Sequence, residues 1–258
     1  MPPRQHVPGI VIRQQPLGEA DLIVTIVSPE LGRVDAMARG ARKSSKRFGG
    51  GLALFTEVSA IVEQGRGRLP TLVESTLRRN YLPDATEYTQ LALASLAAEL
   101  AGHASQHEHA DSALYDWLDA ALQLCGACLP PSPHAPIGIR TPQLALEVGF
   151  LQSAGLFPDL QACVRCGQST ASGAHWLDAD AGLTCLRCEP ARSTALEPSL
   201  VRTLVLWTLS PPTPPLETLP MTAGLRVVEQ RVGVLLRHVV PDALRTIQTL
   251  RDLARFEV

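Results

Sequence analysis

The stretch ADLIVTIVSPELGRVDAMARG, residues 20–40, decides the first half of the fold. An apolar run from Leu22 to Val27 meets the turn Ser28-Pro-Glu-Leu-Gly32 and then an alternating run from Val34. Two β-rich runs around a Pro/Gly turn predict a hairpin. Working outward, VPGIVIRQQ (7–15) reads as a preceding strand, Phe55 to Val62 as a later one, and Thr71 to Leu77 as another after the turn Gly65-Arg-Gly-Arg68. Five strands in about 75 residues suit a small closed barrel, which leaves no exposed edge, with a small sandwich as the competitor.

Beyond Pro83 the pattern changes. Thr86 to His103 and Asp111 to Cys125 are Ala/Leu-rich at helical spacing, with Asp111 or Ser112 as cap candidates. Pro130, Pro131, Pro133 and Pro136 end this pair. Further helices are predicted over 142–155, 197–210, 222–238 and 241–254. The expected class is multi-domain α+β, divided as 1–82 (barrel) and 83–258 (helical).

The composition is globular, with 45% apolar and 19% charged residues among 258. The net charge of −2 hides an asymmetry. Residues 1–80 hold 12 Lys+Arg against 7 Asp+Glu, and residues 81–258 hold 11 against 18. A basic first part in an acidic chain points to a polyanion-facing surface. No apolar run reaches membrane-spanning length and the N-terminus lacks a signal-like stretch, so a cytoplasmic protein without membrane contact is expected.

Cys163-Val-Arg-Cys166 and Cys185-Leu-Arg-Cys188 are separated by 18 residues. This is the spacing of two metal-binding turns, each supplying two corners of a tetrahedral thiolate site. It predicts one structural Zn²⁺ per chain in a module over about 158–192, with a short hairpin between the pairs. Four reduced structural thiols are the alternative. No acid or fifth ligand stands beside the cysteines, so a catalytic metal is not expected. Cys125-Gly-Ala-Cys128 has the same gap but no second pair, and reads as buried thiols at a helix end. His103, His107, His109 and His134 lie nearby and read as loop residues.

Arg39-Gly-Ala-Arg42-Lys43-Ser-Ser-Lys46-Arg47 packs five cations into nine residues without an acid, followed by Gly49, Gly50 and Gly51. Small residues between cations let a loop approach phosphates closely. Arg33, Arg66 and Arg68 extend this candidate DNA-binding set. Phe48 is a candidate stacking residue, whereas Phe55 is expected in the core. The triple glycine lacks the Gly-Lys-Ser/Thr ending of a nucleotide-gripping loop. A base deaminase is disfavoured because no His-x-Glu stands with Pro-Cys-x-x-Cys. A base-reading zinc module is disfavoured because residues 167–184 hold no Arg or Lys. A scaffold whose basic loop docks an acidic protein stays open.

Together, Gly9-Ile-Val-Ile-Arg13, Gly18-Glu-Ala-Asp-Leu-Ile23, Gly32-Arg33, Ala38-Arg-Gly-Ala-Arg42, Arg47-Phe-Gly-Gly50 and Leu69-Pro-Thr-Leu72 resemble the opening of the RecO family of bacterial recombination mediators. Gly155-Leu-Phe-Pro-Asp-Leu160, ahead of Cys163, resembles the family's approach to its zinc site. The resemblance implies an N-terminal OB-fold and a helical domain carrying a zinc-ribbon-like module. It implies binding of single- and double-stranded DNA, ATP-independent strand annealing, and no enzymatic activity. It also implies partnership with RecR and single-stranded-DNA-binding protein to load the recombinase, and a nucleoid-associated location. The tail of single-stranded-DNA-binding protein, acidic with an apolar end, calls for an apolar groove edged by arginine. Arg140, Arg202 and Arg237 are the candidates for that contact.

Overall fold

The computed structural model describes residues 3–43, 48, 51–64, 69–82, 87–107, 109–127, 139–177, 182–188, 193–209, 216, 219–240 and 246. The chain divides into two compact units, residues 1–129 and 130–258.

Five strands open the first unit: β1 (Arg4–Leu17), β2 (Asp21–Ser28), β3 (Gly32–Ala38), β4 (Thr56–Glu63) and β5 (Thr71–Asn80). They close into a barrel in the order β1-β2-β3-β5-β4, and β4 pairs back onto β1. Every pairing is antiparallel except β3 with β5, which meet at Met37 and Thr71. This is the expected OB-fold, a closed barrel rather than a sandwich. Alternation drives it. In β4, Thr56, Val58, Ala60 and Val62 are buried and the residues between them are half-buried. The inward residues join Val7, Val11, Val24, Ile26, Ala36, Ala38, Leu52 and Leu72 in one core. β1 is longer than its sequence signal. Its first half pairs with β4 and its second half with β2, with an irregularity between Val11 and Arg13.

Two helices follow within this unit, α1 (Tyr88–Ala104) and α2 (Ser112–Ala127). The unit therefore keeps them with the barrel, whereas the sequence pattern suggests a division at residue 82. The Asp111 carboxylate accepts from the Leu114 amide at 2.9 Å and caps α2. Several contacts fasten the helices to the barrel. Tyr81 donates to Asp119, and Arg79, held within the barrel by Glu57 of β4 at 3.5 Å, pairs with Asp119 at 3.3 Å. At the β2–β3 turn Gly32 has φ +65°, and a Cβ there would lie 2.1 Å from the His109 carbonyl. Only glycine permits both the turn and this approach.

The second unit contains α3 (Arg140–Ser153), α4 (Pro198–Leu209) and α5 (Ala223–Val239). Between α3 and α4 lies a small sheet, β7-β6-β8, made of β6 (Ala174–Trp176), β7 (Leu183–Cys185) and β8 (Ala195–Leu196). Thr222 caps α5 by accepting from the Leu225 amide at 3.1 Å. The last expected helix, 241–254, falls outside the described residues apart from Thr246.

Candidate nucleic-acid interface and metal centre

The register places one end of the barrel as the candidate interface. Leu22 faces Ala38, Met37 faces Thr71, and Thr71 faces Glu63. The start of β2, the end of β3, the start of β5 and the end of β4 therefore lie together. Arg39, Arg42 and Lys43, all exposed, leave β3 at this end. Their loop is held against the β1–β2 turn: the Arg42 amide donates to the Ala20 carbonyl at 3.0 Å, and its guanidinium to the Gly18 carbonyl at 3.3 Å. Asp21 accepts from the Gly40 amide at 2.8 Å. These bonds fix the backbone of the loop and leave cationic side chains at the surface. Lys46, Arg47, Arg66 and Arg68 lie outside the described residues, although strands β4 and β5, which flank residues 65–68, meet at the same end.

Two expected members of the set have other work. Phe48 is buried in the barrel core and is not available to stack on a base. Arg33 is half-buried against the helices. Its guanidinium pairs with Asp35 at 3.1 Å and reaches the Gly102 carbonyl at 3.4 Å. His107 meets the same carboxylate at 3.3 Å, and Thr25 donates to it at 2.6 Å. The histidine-bearing connection thus docks on the β2–β3 face instead of standing free. Arg13 and Arg78 are exposed and are missed by a search for basic runs, because each stands inside a strand.

All aromatic residues of positions 1–82, namely Phe48, Phe55 and Tyr81, are buried. The barrel therefore offers cations without an aromatic platform. Among the described residues, no helix is long and apolar enough to cross a membrane.

The metal centre is built from two turns. Cys163 and Cys166 lie on a tight turn in which the Gly167 amide donates to the Cys163 carbonyl at 2.8 Å. Gly167 leaves it at φ +70°. Cys185 ends β7, and Cys188 closes the short 3₁₀ turn Leu186–Cys188. The Val164 amide donates to the Leu183 carbonyl at 2.9 Å and ties the two turns together. The expected hairpin is present as β6–β7, with Trp176 edge-on to Phe157 at 5.9 Å.

All four sulfurs lie within 4.8 Å of one another, and Cys166 Sγ is 3.7 Å from Cys185 Sγ. Four sulfurs about 2.3 Å from a central ion stand about 3.8 Å apart, so the set fits a tetrahedral metal. Burial acts to raise the Cys163 thiol, but backbone donation from Cys185, Arg165 and Cys166 brings it down to about 6. Backbone donation from Cys188 likewise lowers Cys185. Cys188 is pushed up to about 12, first by its hydrogen bond with Cys166 and then by burial. Cys163, Cys185 and Cys188 thus hold protons unequally, and an ion would displace them. Cys125 is buried on α2, and Cys128 lies outside the described residues.

The remaining candidates are helical. Arg140 pairs with Glu229 at 3.6 Å and contacts Met221 Sδ at 3.5 Å. Arg202 and Arg237 are exposed on α4 and α5. Residues 202, 206 and 209 share one face of α4, where Leu206 and Leu209 are 62% and 65% exposed.

Comparison with known proteins agrees with this architecture. Residues 1–81 match the model for the recombination protein O N-terminal region, and residues 85–223 match that for its C-terminal region. The DNA repair protein RecO of Anaeromyxobacter dehalogenans (strain 2CP-C) is 37% identical over 189 residues, covering 72% of this chain and 71% of that protein. The DNA repair protein RecO of Desulfosudis oleivorans is 31% identical over 265 residues, covering 96% of both chains. That of Symbiobacterium thermophilum is 32% identical over 198 residues, or 76% of this chain and 75% of its own. With both regions matched and an OB-fold barrel leading a four-cysteine cluster, this chain belongs to the RecO family and has a role in DNA recombination and repair.

Proposed function

We propose that the protein is a recombination mediator without catalytic activity. It binds single- and double-stranded DNA, anneals complementary strands without ATP, and acts with RecR and single-stranded-DNA-binding protein to load the recombinase. The observation that carries this reading is the pairing of exposed Arg39, Arg42 and Lys43 with a barrel whose aromatics are all buried. Annealing requires phosphate charge to be neutralised while the bases stay free to pair. Barrels that hold single strands tightly do so by stacking bases on aromatic side chains, which this surface lacks. Lys46, Arg47, Arg66 and Arg68 complete the basic set by sequence. Arg33 is a support of the barrel–helix contact rather than a primary DNA ligand.

Cys163, Cys166, Cys185 and Cys188 hold one structural Zn²⁺. Four thiolates leave no open position, so the ion supplies a cross-link and no chemistry on a substrate. Among the arginine candidates for the acidic tail of single-stranded-DNA-binding protein, Arg202 is favoured. It shares its helix face with Leu206 and Leu209, whereas Arg140 is engaged by Glu229. A nucleoid-associated, cytoplasmic location follows from the proposed role.

The test is annealing of two complementary oligonucleotides without ATP across a salt series. Acceleration that fades steeply with salt is expected, because counterion release dominates such binding. DNA binding without acceleration would overturn the annealing role. Absence of DNA binding would turn the basic loop into a protein-docking site.

A further inference from the structure

The loop that carries the basic run is anchored by a residue of the opposite charge. The chain leaves β3 through Gly40, at φ +67°, and nothing beyond its chain neighbours lies within 4 Å of the place a Cβ would take there. Glycine adopts either sign of φ with ease, so packing does not set the direction in which the loop departs. Hydrogen bonds set it. The Asp21 carboxylate accepts from the Gly40 amide at 2.8 Å. The Gly40 carbonyl in turn accepts from the Lys43 amide at 3.1 Å, which closes the turn Gly40-Ala41-Arg42-Lys43. Ala41 packs against the barrel core, whereas Arg42 and Lys43 are exposed. The direction taken at Gly40 therefore decides where both cations stand.

We propose that Asp21 is a positioning residue for nucleic-acid contact: it holds the Gly40 turn so that Arg42 and Lys43 face the phosphates together. This role rests on the reading of the loop as a DNA-binding surface. Asp21 is half-buried and makes no ion pair among the described residues. Its charge repels a polyanion, so a carboxylate here is the wrong group for attraction. It is the right group for anchoring, because a hydrogen bond to an ionised acceptor is about twice as strong as a neutral one. The far side of the loop has its own ties, from the Arg42 amide to the Ala20 carbonyl at 3.0 Å and from its guanidinium to the Gly18 carbonyl at 3.3 Å. Loss of Asp21 therefore releases the Gly40 end of the loop and leaves the other end attached. The effect on binding is partial, equivalent to about one phosphate contact.

The test uses the full chain and two variants of equal charge, Asp21→Asn and Asp21→Ala. The probe is a fluorescent single-stranded oligonucleotide, read by anisotropy across a salt series. Asn keeps an oxygen for the Gly40 amide and removes the repelling charge, so this variant should bind at least as tightly as the unchanged chain. Ala removes the acceptor as well. It should bind about fivefold more weakly than the Asn variant, with a slope of log affinity against log salt smaller by about 0.7. A loss of folding would lower the fraction that binds without lowering this slope, and melting temperatures establish that both variants are folded. Hydrogen exchange at the Gly40 amide reads the anchor without DNA, and should be faster in the Ala variant than in the Asn variant. Equal exchange in the two variants would overturn the anchoring role. Faster exchange in the Ala variant with equal affinity and slope would overturn the contact between this turn and DNA. An Ala variant that binds more tightly than the Asn variant would make Asp21 an unfavourable charge and nothing more, and would overturn the proposal. No binding by the unchanged chain would overturn the DNA reading itself and the contact role with it, while the exchange comparison would still decide whether Asp21 holds the turn.

Discussion

The barrel and the cysteine module solve the same problem with different means. The barrel buries an alternating set of aliphatic residues from all five strands and closes its own edges. Among the described residues the module has three strands, each of two or three residues, and its two turns converge on four sulfurs. β6 and β7 are buried throughout, and an ion held by the four sulfurs would add a cross-link where the sheet is short. The barrel can therefore vary at its surface without losing its fold, while the module is committed to four positions.

The sharpest way to break this comparison is to remove ligands. With zinc as the cross-link, Cys163→Ser with Cys185→Ser should abolish metal content and remove the melting transition of the second unit. Structural zinc contributes on the order of 10 kcal/mol in isolated fingers. DNA affinity of the remaining barrel should persist; a parallel loss would show that the units are not independent. The barrel's counterpart is Phe48→Ala, expected to cost about 3–5 kcal/mol because the ring fills the core. Its salt dependence of DNA binding should be unchanged, read by anisotropy on the folded fraction. If the variant melts normally but binds DNA less well, Phe48 is a ligand after all.

A third change leaves both units intact. Arg39→Ala, Arg42→Ala and Lys43→Ala together should reduce the slope of log affinity against log salt by about 0.7–0.9 per lost phosphate contact, with melting unaltered. An unchanged slope removes these residues from the interface. The smallest effect concerns the second unit. Burial raises the Glu229 carboxyl, against the pull of Arg140 and Arg226. The folded unit therefore keeps this proton where the unfolded chain has lost it, and its stability falls as pH rises through that window. Glu229→Gln should flatten the fall in a melting series from acid to neutral pH. A steeper fall would mean that the Arg140 pair outweighs burial.

What the sequence shows depends on how local the cause is. The β4 alternation and the two Cys-x-x-Cys turns are set by neighbours a few residues apart, and both are legible. The role of Arg33 is not, because its partners include the Gly102 carbonyl, and the carboxylate it grips is shared with His107. Phe48 is misread because it adjoins a basic run, while its direction is decided by barrel closure.

The double pairing of β1 has a consequence for synthesis on the ribosome. Residues 4–11 must wait for residues 56–63 before their hydrogen bonds are met, and β3 must wait for Thr71. As the chain emerges, β1, β2 and β3 form a meander with both outer edges unpaired. Such edges recruit other strands. The last hairpin, β4–β5, seals both at once, so the nascent chain is most open to aggregation until about its eightieth residue is free. Slowing translation before that point should lengthen the exposure, and slowing it afterwards should not.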